Sequence, residues 1–178
     1  MKFLIFSDIH GAADSARFIV KKCEEERPDK VLILGDILYH GPRNDVPPCY
    51  EPKTVISELS RIKDMIIAVR GNCEAEVDQM VLPFPVMSEE AMVFADGNTI
   101  LMTHGHIWNE KNRPEGGYTH FFSGHTHLQV LKCESGIVFL NPGSITLPKG
   151  GTERSYATYI DGKIAIRRMS DSSVILEI

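Results

Sequence analysis

Five short clusters in this chain carry side chains able to hold metal ions: Asp8-Ile9-His10, Gly35-Asp36, Gly71-Asn72-Cys73-Glu74, Thr103-His104-Gly105-His106 and Gly124-His125-Thr126-His127. Five of the seven histidines fall in them. Taken singly, each has an ordinary explanation, since Asp-x-His at a strand end is commonly a capped turn and Asn72 after Gly71 reads as a helix cap. Together they offer seven oxygen and nitrogen ligands, Asp8, His10, Asp36, Asn72, His104, His125 and His127, which is more than one ion can take. Two divalent ions sharing a carboxylate would use them all; such ions lie about 3.5–4 Å apart and clamp an in-line displacement at phosphorus. Two dications against two carboxylates leave a pocket of roughly +2, or about +1 with a bridging hydroxide, which favours an anionic substrate. A ligand set without sulfur suits manganese, iron, zinc or nickel and does not choose between them; manganese is taken as the first expectation.

The elements that must position these groups follow from hydrophobic spacing. Lys2 to Phe6, Lys30 to Leu34 and Met65 to Val69 are short apolar runs of the kind buried on both faces of a parallel sheet, and each ends in one of the clusters. Between them, helices are expected from a cap at Asp14 or Ser15 to about Arg27 and over Lys53 to Lys63, with a shorter one over Glu74 to Val81. The segment Ile37 to Pro52 is a long polar loop that carries Arg43, a candidate for gripping a phosphate oxygen. The second half reads as short, mostly antiparallel strands, with hairpin turns at Asp96-Gly97-Asn98 and Asp161-Gly162. Functional groups collect at the carboxyl ends of strands in open α/β sheets, so Asp8, Asp36 and Asn72 should converge. If the flanking segments are extended, residues two apart share a side, and Asp8 with His10, and His125 with His127, would each aim at a common point.

Composition narrows the function classes. At 178 residues the expectation is a single domain over residues 1–178 with an adequate core. A formal net charge of −5 with scattered Lys and Arg argues against a general nucleic-acid binder. Cys23, Cys49, Cys73 and Cys133 show no Cys-x-x-Cys spacing, so neither structural zinc nor a disulfide framework is indicated. The apolar run after Met1-Lys2 is too short for a secretory signal, and no stretch is long enough to span a bilayer, so a cytoplasmic location is expected. No segment singles out a subunit interface, and a homo-oligomer stays open.

The five motifs in this order resemble those of the calcineurin-like metallophosphoesterases, in particular their small bacterial and archaeal phosphodiesterase branch, and the similarity runs over nearly the whole chain. Gly41-Pro42-Arg43-Asn44 and Asn141-Pro142-Gly143-Ser144 take part in it. The resemblance implies a four-layer α/β/β/α sandwich of two mixed sheets flanked by helices. It implies that Asp8, His10 and His127 hold one ion, that Asn72, His104 and His125 hold the other, and that Asp36 bridges. The activity implied is hydrolysis of small phosphodiesters by attack of a hydroxide held between the two ions. Many members carry His where this chain has Cys73, so Cys73 and His106 are the two candidates for assisting the leaving group. The alternative is a non-catalytic metal-binding interaction scaffold on the same fold, as in a retromer subunit that resembles the family.

Overall fold

The structure is a computed structural model describing residues 1–178. Strand β1 (Lys2–Phe6) leads through helix α1 (Ala13–Glu26) to β2 (Lys30–Ile33), and helix α2 (Pro52–Ser60) leads to β3 (Ile66–Ala68). These three strands pair in parallel, Phe3 beside Lys30 and Val31 beside Ile66. After helix α3 (Glu76–Val81) come β4 (Glu90–Ala95), β5 (Asn98–Thr103), β6 (His120–Phe122), β7 (Gln129–Glu134) and β8 (Ile137–Pro142). They form a second sheet in the order β4-β5-β6-β8-β7. The chain then returns to the first sheet with β9 (Ser155–Ile160), β10 (Lys163–Arg168) and β11 (Val174–Glu177), giving the order β11-β10-β9-β1-β2-β3.

Both sheets are mixed, and helices flank the assembly, as expected. The apolar run of β1 is continuous because each of its faces meets a different core. Phe3 and Ile5 point between the sheets, against Ile100, Met102, Phe122 and Leu140. Leu4 and Phe6 point outward to the apolar stripes of α1 (Ile19, Val20) and α2 (Val55, Leu59). The outer face of the five-stranded sheet, Leu101, Phe121 and Phe139, is covered by the loop bearing Trp108 and Tyr118.

The second half is mostly antiparallel, as expected, with β5, β6 and β8 running parallel at the centre of the five-stranded sheet. Other expectations are corrected. Helix α1 starts at Ala13 without a side-chain cap; Asp14 instead pairs with Arg154 and Ser15 with Thr146. Asn72 caps no helix, since α3 begins at Glu76 with the Ala75 amide donating to Asp78. β11 has no counterpart in the sequence reading.

Candidate metal centre

The clusters do not continue the strands as extended chain. Asp8, His10, Asp36, His125 and His127 all adopt left-handed φ between 50° and 67°. This conformation costs a non-glycine residue on the order of 1 kcal/mol or more, and the backbone around it is pinned. The amides of Asp8, His10 and Gly11 donate to the carbonyls of Gly35, Asp36 and Ile37, so the ends of β1 and β2 stay laced together beyond the regular sheet. The extended-chain premise is therefore corrected, with a consequence for the paired histidines. His127 turns to Asp8 and His10, its Nε2 3.2 Å from Asp8 Oδ1 and 3.2 Å from His10 Nε2. His125 goes the other way, its ring 5.1 Å from that of His104.

Two carboxylates face these rings. Asp8 Oδ2 accepts from the Ser7 hydroxyl (2.6 Å) and the His125 amide (3.1 Å), which leaves Oδ1 turned inward. Asp36 Oδ1 accepts from the Cys73 amide at 2.9 Å, while its Oδ2 lies 3.7 Å from His10 Nε2 and 3.5 Å from His104 Nε2. Asn72 Oδ1 stands 3.2 Å from the same His104 nitrogen. The potential ligand atoms fall into overlapping groups, Asp8-His10-His127, Asp8-Asp36-His104 and His10-Asp36-Cys73, each within 4.8 Å. Five of the seven expected ligands, Asp8, His10, Asp36, His104 and His127, thus meet in one buried cluster, with exposed Asn72 and half-buried His125 against its His104 side.

The chemistry of this cluster fits cations. His10, His104 and His127 each use Nδ1 toward a backbone carbonyl, of Tyr39, Leu34 and Leu147 respectively. In neutral rings this fixes Nε2 as a bare lone pair, the usual way a metal-binding imidazole is oriented. Two such lone pairs then face each other at 3.2 Å, beside Asp8 Oδ1, a buried oxygen with no hydrogen-bond donor. Uncompensated lone pairs in a dry site are costly, and a divalent ion among them removes the cost. In the metal-free chain protons take its place. Burial opposes the charge on His104, but Asp36 and Asp8 outweigh it and raise its pKa to about 9. Burial likewise works against ionised Asp8, yet His10 and His127 hold its carboxyl well below the usual range.

The other candidates divide. Cys73 places its Sγ among His10 and Asp36; burial, reinforced by Asp36, pushes its thiol above the ordinary range, so it remains S–H. His106 stands with its ring 5.3 Å from His104 and 6.2 Å from His125, and its Nδ1 is buried without a partner. Arg43 is exposed on the loop after β2. That loop approaches the cluster at Gly41, where a Cβ would lie 3.1 Å from Cys73 Sγ.

Several supporting residues escaped the sequence reading. Glu74, 4% exposed, accepts the amides of Asp36 (2.9 Å), Ile37 (2.6 Å) and Gly71, so one carboxylate ties the end of β2 to the end of β3. Its only signal was a charged residue three places after Gly71, which reads equally well as helix solvation. Ser144 and Asn141, by contrast, belong to a segment already expected beside the site: Ser144 donates to the Asp8 carbonyl at 2.8 Å, and Asn141 to that of Gly124 at 2.7 Å, fixing the turns beside the cluster. Glu89 bridges Arg70 (3.1 Å) toward His106 (4.0 Å).

Comparison with known proteins places this arrangement. The sequence profile of the calcineurin-like phosphoesterase superfamily domain matches residues 1–160. Phosphodiesterase YfcE of Escherichia coli (strain K12) is 36% identical over 179 residues, covering 100% of this chain and 97% of that protein. The solved structure of YfcE, a phosphoesterase from E. coli, superposes with a TM-score of 0.97 over 100% of this chain and 98% of the other. Wild-type Vps29 of Entamoeba histolytica complexed with zinc shares the fold at 20% identity, with a TM-score of 0.61 over 100% of this chain and 98% of that one. With a family profile spanning most of the sequence and a relative alike from end to end, the chain belongs to the calcineurin-like phosphoesterase superfamily.

Proposed function

We propose that the chain is a metal-dependent phosphodiesterase acting on small phosphodiesters, with residues 1–178 working as one domain. The observation that carries this reading is the inward-facing set of lone pairs, His10 Nε2 against His127 Nε2 beside the donorless Asp8 Oδ1. Asp8, His10 and His127 would hold one divalent ion, and Asn72, His104 and His125 the other, with Asp36 Oδ2 turned to both histidine groups. When bound, the ions supply positive charge that draws the phosphoester in and makes water acidic enough to serve as nucleophile near neutral pH. Manganese as the metal and the cytoplasm as the compartment belong to the same reading.

The remaining work falls to side chains of this chain. Burial, joined in the metal-free chain by the charge of His104, keeps His106 neutral, and a neutral ring can donate a hydrogen bond to the departing oxygen from the ring nitrogen that carries its proton. The Cys73 S–H offers the leaving group only a weak donor. Substrates with good leaving groups, such as aryl phosphodiesters, should therefore be favoured. The test is a leaving-group series run on wild type and Cys73→His with Mn²⁺: the variant should turn over poorer leaving groups, giving a shallower dependence on leaving-group pKa. Identical slopes would remove Cys73 from the account. Tight metal binding without turnover of any diester or monoester would favour the scaffold reading instead.

A further inference from the structure

A groove of about 470 Å³ opens beside the metal centre, its inner wall made by His106 and His125 and its outer wall by Asn109, Glu110 and Lys111. Glu110 and Lys111 also line a recess of about 260 Å³ that extends to Arg113, Lys132 and Phe139. The charges along this path are unevenly matched. Lys132 Nζ takes both acids, Glu110 at 2.9 Å and Glu134 at 3.0 Å, and neither Lys111 nor Arg113 enters an ion pair. Three cations against two carboxylates leave +1 here, in a chain whose net charge is −5. Nor are the two cations on free loop. Asn109 Oδ1 accepts the amides of Lys111 (3.0 Å) and Asn112 (3.2 Å), which sets the turn bearing Lys111. The Arg113 guanidinium sits 5.1 Å from the centre of the Phe139 ring, which is itself 3% exposed. Unpaired, positioned cations at the end of a groove that starts at the candidate centre attract an anion.

We infer that this groove is a substrate subsite for a second anionic group, a phosphate or carboxylate carried on the alcohol side of the phosphodiester and held by Lys111 and Arg113. The inference rests on the phosphodiesterase reading and narrows its substrate class to diesters whose leaving alcohol is itself charged. A diester with an uncharged alcohol leaves both cations unused.

The experiment compares three methyl aryl phosphates with Mn²⁺, the aryl group carrying a 4-nitro, a 4-carboxylate or a 4-phosphonate substituent, on wild type and on K111A/R113A. Differences in intrinsic reactivity cancel in the wild-type to variant ratio for each substrate. The double variant should lose about tenfold more kcat/KM on the two anionic substrates than on the nitro compound, the order of a charge-assisted contact. A larger loss for the phosphonate than for the carboxylate identifies phosphate as the preferred group; the reverse identifies a carboxylate. K111R/R113K, which keeps both charges, should keep most of the wild-type selectivity. Binding gives a second readout: benzene-1,4-diphosphonate should bind wild type more tightly than phenylphosphonate by calorimetry, and the preference should vanish in K111A/R113A. Equal losses on all three substrates, with an unchanged diphosphonate preference, would overturn the subsite while leaving the phosphodiesterase reading standing. Failure of metal-loaded wild type to hydrolyse any of the three would overturn both.

Discussion

Glu74 shows what one buried side chain does for this cluster. Its carboxylate serves three backbone amides from two different loops. Burial and the neighbouring Asp36 nonetheless push its pKa up to about 7, against the pull of those amides. Glu74→Ala strands buried N–H groups that cost about 1–3 kcal/mol each when unsatisfied. We expect a loss of about 3 kcal/mol or more in urea unfolding and at least a tenfold weaker Mn²⁺ affinity; wild-type values for both would contradict the clamp. His104 makes a second prediction. Its folded pKa of about 9 lies above the ordinary value of 6.5, so the metal-free fold is favoured by this proton below pH 6.5 and loses that contribution as pH rises toward 9. The same proton competes with metal at Nε2. Mn²⁺ affinity should therefore rise about tenfold or more between pH 6.5 and 8, with proton release visible as a buffer-dependent calorimetric heat; a flat affinity would show that His104 is not a ligand. At this scale the residue types were legible and their roles only partly so. Asp8, His10, Asp36, Asn72, His104 and His127 meet in space, yet nothing in the sequence marked Glu74 as the clamp, because its function depends on amides 37 and 38 residues away.

Among the elements, the strands and helices of the first half were readable because both faces of β1 and β2 are covered and so carry unbroken apolar runs. The loops at their ends were not. Left-handed Asp and His residues leave no trace in a periodicity argument, so extended chain was assumed where the backbone curls. β11 was missed for the opposite reason: at the sheet edge, with a register shift against β10 and only Ile175 half-buried, it shows no alternation to read. The turns at Asp96-Gly97 and Asp161-Gly162 were readable, and both residues of each have positive φ, as type I′ hairpins require. One tight junction between elements is at Gly35, φ +91°, where a Cβ would lie 2.7 Å from the Gly71 amide and 2.8 Å from His104 Nδ1. Gly35→Ala should cost about 2–4 kcal/mol from conformational strain and overpacking. It should also weaken metal binding, because it pushes on His104 itself. Unaltered stability by urea titration would show that the ends of β2 and β3 can separate freely.

At the scale of the molecule, the cluster sits where the two sheets meet. Asp8, Asp36 and Asn72 come from the strand ends of the six-stranded sheet, and His104, His125 and His127 from those of the five-stranded one. Local patterns could suggest each sheet but not the order β4-β5-β6-β8-β7, which depends on pairings between distant segments; the resemblance supplied the layered arrangement. Ions shared across the two sheets should stabilise the whole fold. Binding to the native state alone at about one hundred times Kd adds about 2.7 kcal/mol, a Tm rise of about 5–10 °C at the typical 2–4 °C per kcal/mol for a chain of this size. No rise on adding Mn²⁺ to chelated protein would mean that the cluster does not bind it.

The most direct test titrates Mn²⁺ into chelated protein and follows hydrolysis of an aryl phosphodiester alongside bound metal. Turnover should be absent at the start and should saturate at about two ions per chain, and Asp36→Ala should abolish it at every metal concentration. Turnover that persists in chelator, or none at any concentration of manganese, zinc, iron or nickel, would contradict the account.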